Sequence, residues 1–261
     1  MVNSLEEARE IFRYRELLRN LVFRDIKVRY KRSFLGFVWV MLNPLLMMLI
    51  MNIVFSEVFK ISTKNYTAYL LSGIILWNFF SQSTSTAVIS MVQNSNLIKK
   101  IYMPKAVFPL AVVLSATINF AFSLVPLSII FFITGTKVSS HLYLLPFIFI
   151  FVGLFSYGIA LMLSTLTVFF HDTIYIYDVL LLAWMYATPI FYPDHIIPRK
   201  FAAILQLNPL YHFITIFRGA LYMDVPSLAG SMFCGFLFSL ASVVGGWLLY
   251  NRFKDRIVYY L

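Results

Sequence analysis

The chain has 261 residues, of which 61% are apolar and 12% charged, and its mean hydropathy is +0.82. A soluble globule of that composition exposes more apolar surface than water tolerates, and disorder needs the opposite balance, so the sequence describes a membrane protein. The 21 Lys and Arg against 11 Asp and Glu, net charge +10, are therefore read against anionic lipid and topology before nucleic acid.

Residues 1–33 are polar and lack the continuous apolar core of a secretory signal, so the N-terminus is expected to stay in the cytoplasm. From Leu5 to Val22, Ile11, Tyr14, Leu18 and Leu21 recur at helical spacing, with Arg9, Arg13, Glu16 and Asn20 on the other face. That pattern predicts a helix lying on the membrane surface. Arg24, Lys27, Arg29, Lys31 and Arg32 then crowd the approach to the first apolar segment, where each gains about 1 kcal/mol from anionic lipid. The region reads either as a topology anchor or as a mechanical link to something cytoplasmic.

Six segments have the roughly 20 mostly apolar residues that a spanning helix needs: Phe34 to Val58, Tyr66 to Met91, Val107 to Thr134, Leu142 to Phe169, Ile174 to Phe191 and Leu228 to Tyr250. An even count puts both termini on one side. That side carries fifteen Lys and Arg against six on the other, which predicts cytoplasmic termini. The loop between the fourth and fifth segments holds only His171 and Asp172 and adds nothing to that bias.

The first segment carries Trp39 and Asn43 one turn apart, with Pro44 loosening the backbone. The second carries Asn78, Ser81, Gln82, Ser83, Thr84, Ser85 and Thr86 in its middle, a run that is costly against lipid tails. Asn78, Gln82 and Ser85 share one face, which either bonds to other helices or lines a water-filled path. Asp178, a turn into the fifth segment, either lines that path or reaches back to the interface. Aromatics make up 18% of the chain, more than two interfacial belts require. Trp39, Trp77, Phe80, Tyr175, Trp184 and Tyr186 are candidate surfaces on which sugar C–H groups slide, with packing and anchoring as the other roles for the same rings.

Between the second and third segments, NSNLIKKIYMP (94–104) is too short to span and too apolar for a plain loop; a short helix there suits docking in a groove on another protein. The stretch Tyr192 to Ser227 holds two amphipathic pieces, Pro198 to Leu207 and Pro209 to Tyr222, broken at Asn208-Pro209. They read as two short helices that dip into the outer leaflet and return, closing a path or sealing the edge of the bundle. Cys234 has no partner cysteine, and His141, His171, His195 and His212 lie too far apart for a local metal motif. No phosphate-binding G-x-x-x-x-G-K-[ST] stretch or catalytic triad is present. No catalytic residue, metal or cofactor is expected in the chain, and any driven movement draws on another subunit or an ion gradient; the near absence of mid-membrane acidic residues favours a partner ATPase.

The stretches RDIKVRYKRSFLGFVWVMLNP, NSNLIKKIYMPKAVFPL, FFHDTIYIYDVLL, TPIFYP and LNPLYHFITIFRGALY, in this order, resemble the membrane subunits of ABC-2 type polysaccharide and polyol-phosphate exporters, among them the O-antigen, capsule and teichoic acid export permeases. The resemblance covers essentially the whole chain. It implies an all-α membrane protein of the ABC-2 (type V) exporter fold: residues 1–33 as an interface helix and basic segment, and 34–261 as a six-helix domain. It implies a homodimer above two copies of a cytoplasmic ABC ATPase that bind ATP and Mg, in the bacterial inner membrane, exporting an undecaprenyl-linked polysaccharide, O-antigen first among them. The channel would be lined by the first, second and fifth segments of both copies, through Trp39, Asn43, Trp77, Asn78, Phe80, Gln82, Tyr175, Asp178, Trp184 and Tyr186. Coupling to the ATPase falls to Asn96, Leu97, Ile98, Lys99, Lys100, Ile101 and Tyr102, with His171 and Asp172; the family's Arg-Asp at that last place is His-Asp here. The external gate falls to Pro198, Phe201, Asn208, Pro209, Phe217 and Arg218. Rival readings are an exporter of drugs or small lipids, a non-transporting scaffold and an ion channel, the last without a filter motif.

Overall fold

A computed structural model describes residues 10, 13–31, 33–58, 65–193, 196, 198, 200, 202–223 and 228–261. Among them every regular element is helical. In chain order these are α1 (Arg15–Tyr30), α2 (Trp39–Asn52), α3 (Tyr66–Val88), the single turn α4 (Ser90–Gln93), α5 (Ser95–Lys100), α6 (Val107–Thr134), α7 (Leu145–Phe169), α8 (Thr173–Ala187), α9 (Ala202–Gln206), α10 (Pro209–Leu221), α11 (Leu228–Phe253) and α12 (Ile257–Tyr260).

The amphipathic helix differs from its expected bounds. Residues 1–9, 11 and 12 lie outside the described residues, and α1 runs on through the basic stretch to Tyr30. Nothing between Val22 and Tyr30 breaks a helix, and Leu21 and Val22 are buried beside Phe108 of α6, so packing carries the helix past the charged residues. Arg24, Lys27 and Arg29 are thus side chains of a helix, not of a linker.

Among the described residues, four helical stretches are long and apolar enough to cross a membrane: Gly36–Phe55, Val107–Thr134, Ser140–Phe169 and Leu228–Phe253. The other two predicted segments differ for separate reasons. α3 has the length, 23 residues, but its polar middle lowers its hydropathy. α8 has the hydropathy but only 15 residues, about 22 Å of rise against an apolar core of about 30 Å. It stops at Ala187 because Pro189 disfavours helical backbone in the residue before it.

α3 is the axle of the bundle, with both flanks and most of its length buried. Rings pack around it: Phe79 on Phe120 at 5.0 Å, Phe80 on Phe155 at 5.6 Å and edge-on to Trp184 at 5.2 Å. A second core sits at the other end of α3, where Leu21, Met91, Ile98, Phe108, Tyr250 and Ile257 bring α1, α4, α5, α6, α11 and α12 together. α7 and α11 pack with their backbones in contact. A Cβ on Gly158 would lie 2.3 Å from the Ser242 carbonyl carbon, and one on Gly246 2.5 Å from the Gly158 oxygen. Ser239 and Ser242 donate across the same seam to the carbonyls of Phe151 and Phe155, each at 2.8 Å. Small residues that admit a second backbone, bonded by hydroxyls, are how helices associate where lipid supplies no hydrophobic drive.

Candidate functional site

The polar run of α3 divides into two sets. Thr84 donates to the Phe80 carbonyl at 2.7 Å and accepts from the Tyr177 hydroxyl of α8 at 2.6 Å, and Ser83 donates to Phe80 at 2.9 Å. These hydroxyls are satisfied inside the protein. Asn78, Ser81 and Gln82 instead line a cavity of about 400 Å³ between α2, α3 and α6. Trp39 and Asn43 of α2 face it from one side, Asn119 and Ser123 of α6 from the other, and Arg29 of α1 reaches its edge. Asn119 donates to Gln82 Oε1 at 3.2 Å, while its own Oδ1 is buried without a partner. Pro44 has no N–H to give the Val40 carbonyl, and Ser123 Oγ lies 3.4 Å from that oxygen as its donor.

A second cavity of about 430 Å³ adjoins the first and shares Arg29. It is lined by Arg24 and Asp25 of α1, Thr86 of α3, and Ser90, Gln93 and Asn94 beyond it. Arg24 pairs with Asp25 at 3.1 Å and donates to Asn94 Oδ1 at 3.1 Å. Asn78, Gln82, Thr86, Ser90 and Asn94, four residues apart, form one polar line along both cavities.

The remaining channel candidates lie elsewhere in the single chain. Trp77 and Phe80 are buried in the ring core. Trp184 turns inward and donates to Asn208 Oδ1 at 2.8 Å. Tyr175, Asp178 and Tyr186 of α8 are exposed, along with Ile176, Val179 and Leu182. Of the ten candidates, Trp39, Asn43, Asn78 and Gln82 are thus brought together, and with them come Asn119 and Arg29. Asn119 was legible as a lone amide amid apolar α6 but is not singled out by the sequence.

At the α1 end, α5 presents a divided surface. Ile98 is buried in the second core and Leu97 is half-buried, whereas Asn96, Lys99, Lys100 and Ile101 are exposed and Tyr102 is 80% exposed. The Tyr14 hydroxyl holds the Tyr102 carbonyl at 2.9 Å, tying α1 to the end of α5. His171 and Asp172, in the turn before α8, are exposed.

At the opposite end, the turn Thr188–Pro193 is pinned from several sides. Asn208 caps α10 by accepting from the Leu210 N–H, and its Nδ2 donates to Thr188 Oγ1 at 3.0 Å. Tyr66 donates to the Phe191 carbonyl at 2.6 Å and Tyr69 to that of Tyr192 at 2.8 Å. Arg218 lies at the centre, only 3% exposed. It donates to the carbonyls of Pro189, Tyr69 and Ile190 at 3.0, 3.0 and 3.2 Å, and its guanidinium sits 3.4 Å from the centre of the Tyr69 ring. Three carbonyl dipoles and a ring face thus replace the water that this cation loses. Gly73 makes room: a Cβ there would meet Arg218 Nη2 at 2.7 Å. Pro209 begins α10, Phe217 is buried and Pro198 is exposed; Phe201 lies outside the described residues.

The family model described as ABC-2 type transporter matches residues 16–222. The chain is 31% identical to an O-antigen export system permease protein RfbA of Klebsiella pneumoniae, across 92% of this chain and 93% of that protein. It is 32% identical to the RfbA of Myxococcus xanthus, across 82% and 84%, and 24% identical to the polysialic acid transport protein KpsM of Escherichia coli, across 91% and 93%. From α1 to the end of α10, the helices, the cavity wall and the Arg218 cradle all fall within one family's boundaries, and the chain belongs to the ABC-2 type transporter family as a membrane permease.

Proposed function

We propose that the chain is the transmembrane subunit of an ATP-driven exporter that moves a lipid-linked polysaccharide, O-antigen first among the candidates, across the bacterial inner membrane. The observation that carries this reading is the polar line on α3, which keeps amides and hydroxyls on open cavities inside an otherwise apolar bundle. The names of the relatives supply the substrate class, with the O-antigen permeases matching at 31–32% identity and the capsule polysaccharide and polysialic acid transport proteins at 21–24%.

In this reading α2, α3, α6, α7, α8 and α11 are six membrane crossings with cytoplasmic termini, and α8 crosses with the help of the Thr188–Pro193 turn. Two copies meet through α2 and α8, and both helices carry rows of bare apolar residues suited to that contact: Leu46, Leu49 and Ile50 on one, Ile176, Val179 and Leu182 on the other. Two ATPase subunits dock against α5 and the turn at His171–Asp172, and α9 and α10 close the path outside, dipping into the outer leaflet and returning. ATP and Mg belong to those partner subunits.

Deletion of the coding sequence in its host tests the proposal. The expected result is loss of surface polysaccharide with lipid-linked glycan retained inside, restored by the wild-type chain and by no ATPase-dead partner. Unchanged surface glycan, with a lost efflux of drugs or small lipids, overturns it in favour of a narrower exporter.

A further inference from the structure

The cavity between α2, α3 and α6 lies within one chain, not between copies, and its wall has a definite chemistry. It offers four primary amides, from Asn43, Asn78, Gln82 and Asn119, and the Ser81 and Ser123 hydroxyls, next to the Trp39 indole. Among the described residues no carboxylate lines it, and the one cation, Arg29, stands at the edge it shares with the lower cavity. Arg29 is exposed and has no ion pair or hydrogen bond with the described residues. Asn119 is 7% exposed, and its Oδ1, buried behind the wall, is an acceptor that the described residues leave unsatisfied.

Amides and hydroxyls beside an aromatic face suit an uncharged polyol, whose hydroxyls both donate and accept and whose C–H groups stack on the ring. A lone guanidinium at the rim suits one anionic group, phosphate above all. A volume of about 400 Å³ falls in the lower part of the usual range for small-molecule pockets, about 300–1,000 Å³. The geometry points to a glycosyl-phosphate site in each protomer, with the sugar among Asn78, Gln82 and Asn119 and the phosphate on Arg29. The site therefore sits off the axis between copies and is filled from the α1 side. That its ligand is the headgroup of a lipid-linked glycan rests on the export reading above; a soluble sugar phosphate has the same chemistry.

The full chain in lipid nanodiscs is titrated with dodecyl phosphoryl glucose and with glucose 1-phosphate, using empty nanodiscs as the blank. Binding of the dodecyl compound alone marks a lipid headgroup site, and binding of both marks one that also takes the soluble form; either supports the site. Arg29→Gln weakens binding about tenfold, the loss of one charge-assisted contact, and Arg29→Glu abolishes it. Both leave the melting temperature unchanged, because Arg29 bonds to none of the described residues. Asn119→Ala weakens binding as well. Binding that ignores both Arg29 substitutions, or no binding of either probe, overturns the site.

The same variants are scored for surface glycan. If export needs the chain while the probes ignore Arg29 and Asn119, the site fails and the export reading stands. If the probes bind through Arg29 and the deletion leaves surface glycan unchanged, the export reading fails and the site stands.

Discussion

Arg218 is a cation in the protein interior whose hydrogen bonds go to backbone carbonyls and the Ser72 hydroxyl and not to a carboxylate. Buried charge is costly unless fully bonded, and removing one member of such a set leaves the others unsatisfied. Arg218→Leu leaves the Ile190 carbonyl without its side-chain donor and takes one donor each from the carbonyls of Tyr69 and Pro189, and is expected to cost about 2–4 kcal/mol, seen as a lower melting temperature of the purified chain. Arg218→Lys recovers only part of that loss, since one ammonium cannot span three carbonyls that a planar fork reaches. Gly73→Ala is the complementary test from the other side. Its methyl would meet both Arg218 Nη2 at 2.7 Å and the Ile190 oxygen at 3.2 Å, so it is expected to lower the melting temperature without touching the arginine itself.

At the scale of elements, α5 separates anchoring from presentation. Ile98 belongs to the second core, whereas Ile101 and Tyr102 stand free of it. Ile98→Ala is therefore expected to reduce the amount of folded protein, by a core truncation of about 2–5 kcal/mol. Tyr102→Ala leaves folding intact and lowers export and ATPase stimulation if α5 meets the ATPase; equal export by that variant and wild type removes Tyr102 from the contact. α8 gives a second case. Its apolar run to Phe191 read as one continuous helix, yet helix ends at Ala187 and the remainder is a turn tied down by Tyr66, Tyr69 and Arg218. The proline at 189 signalled the stop, but of the residues that hold the turn Tyr66 and Tyr69 lie more than a hundred positions away along the chain and Arg218 lies 29 from Pro189, beyond the reach of any local pattern.

For the molecule as a whole, periodicity and hydropathy located the long apolar helices, which depend on their own residues, whereas the extent of α1 depends on its packing. The polar run of α3 was visible as an anomaly, and the structure divides it between hydroxyls bonded within the protein and amides on a cavity. Which residue belongs to which set depends on where Tyr177 and Asn119 lie, and that is a tertiary fact. The same limit explains the aromatics. Ring content in excess of two belts was plain from composition, but Trp77, Phe80 and Trp184 go into a ring core around α3 whose partners come from α6, α7 and α10. Arg29 read as one of a lipid-facing cluster; continuing α1 as helix to Tyr30 is what carries it to the cavity edge.

The seam at Gly158, Ser242 and Gly246 leaves no side-chain cushion between α7 and α11. Two backbones in van der Waals contact cannot slide by a residue without a collision, and Gly158→Ala already drives a methyl into the facing chain, so that variant is expected to fail at assembly and to yield little folded protein. The pair consequently acts as a keel. Any relative movement within the bundle therefore falls to helices outside this pair, since neither α7 nor α11 can shift along the other.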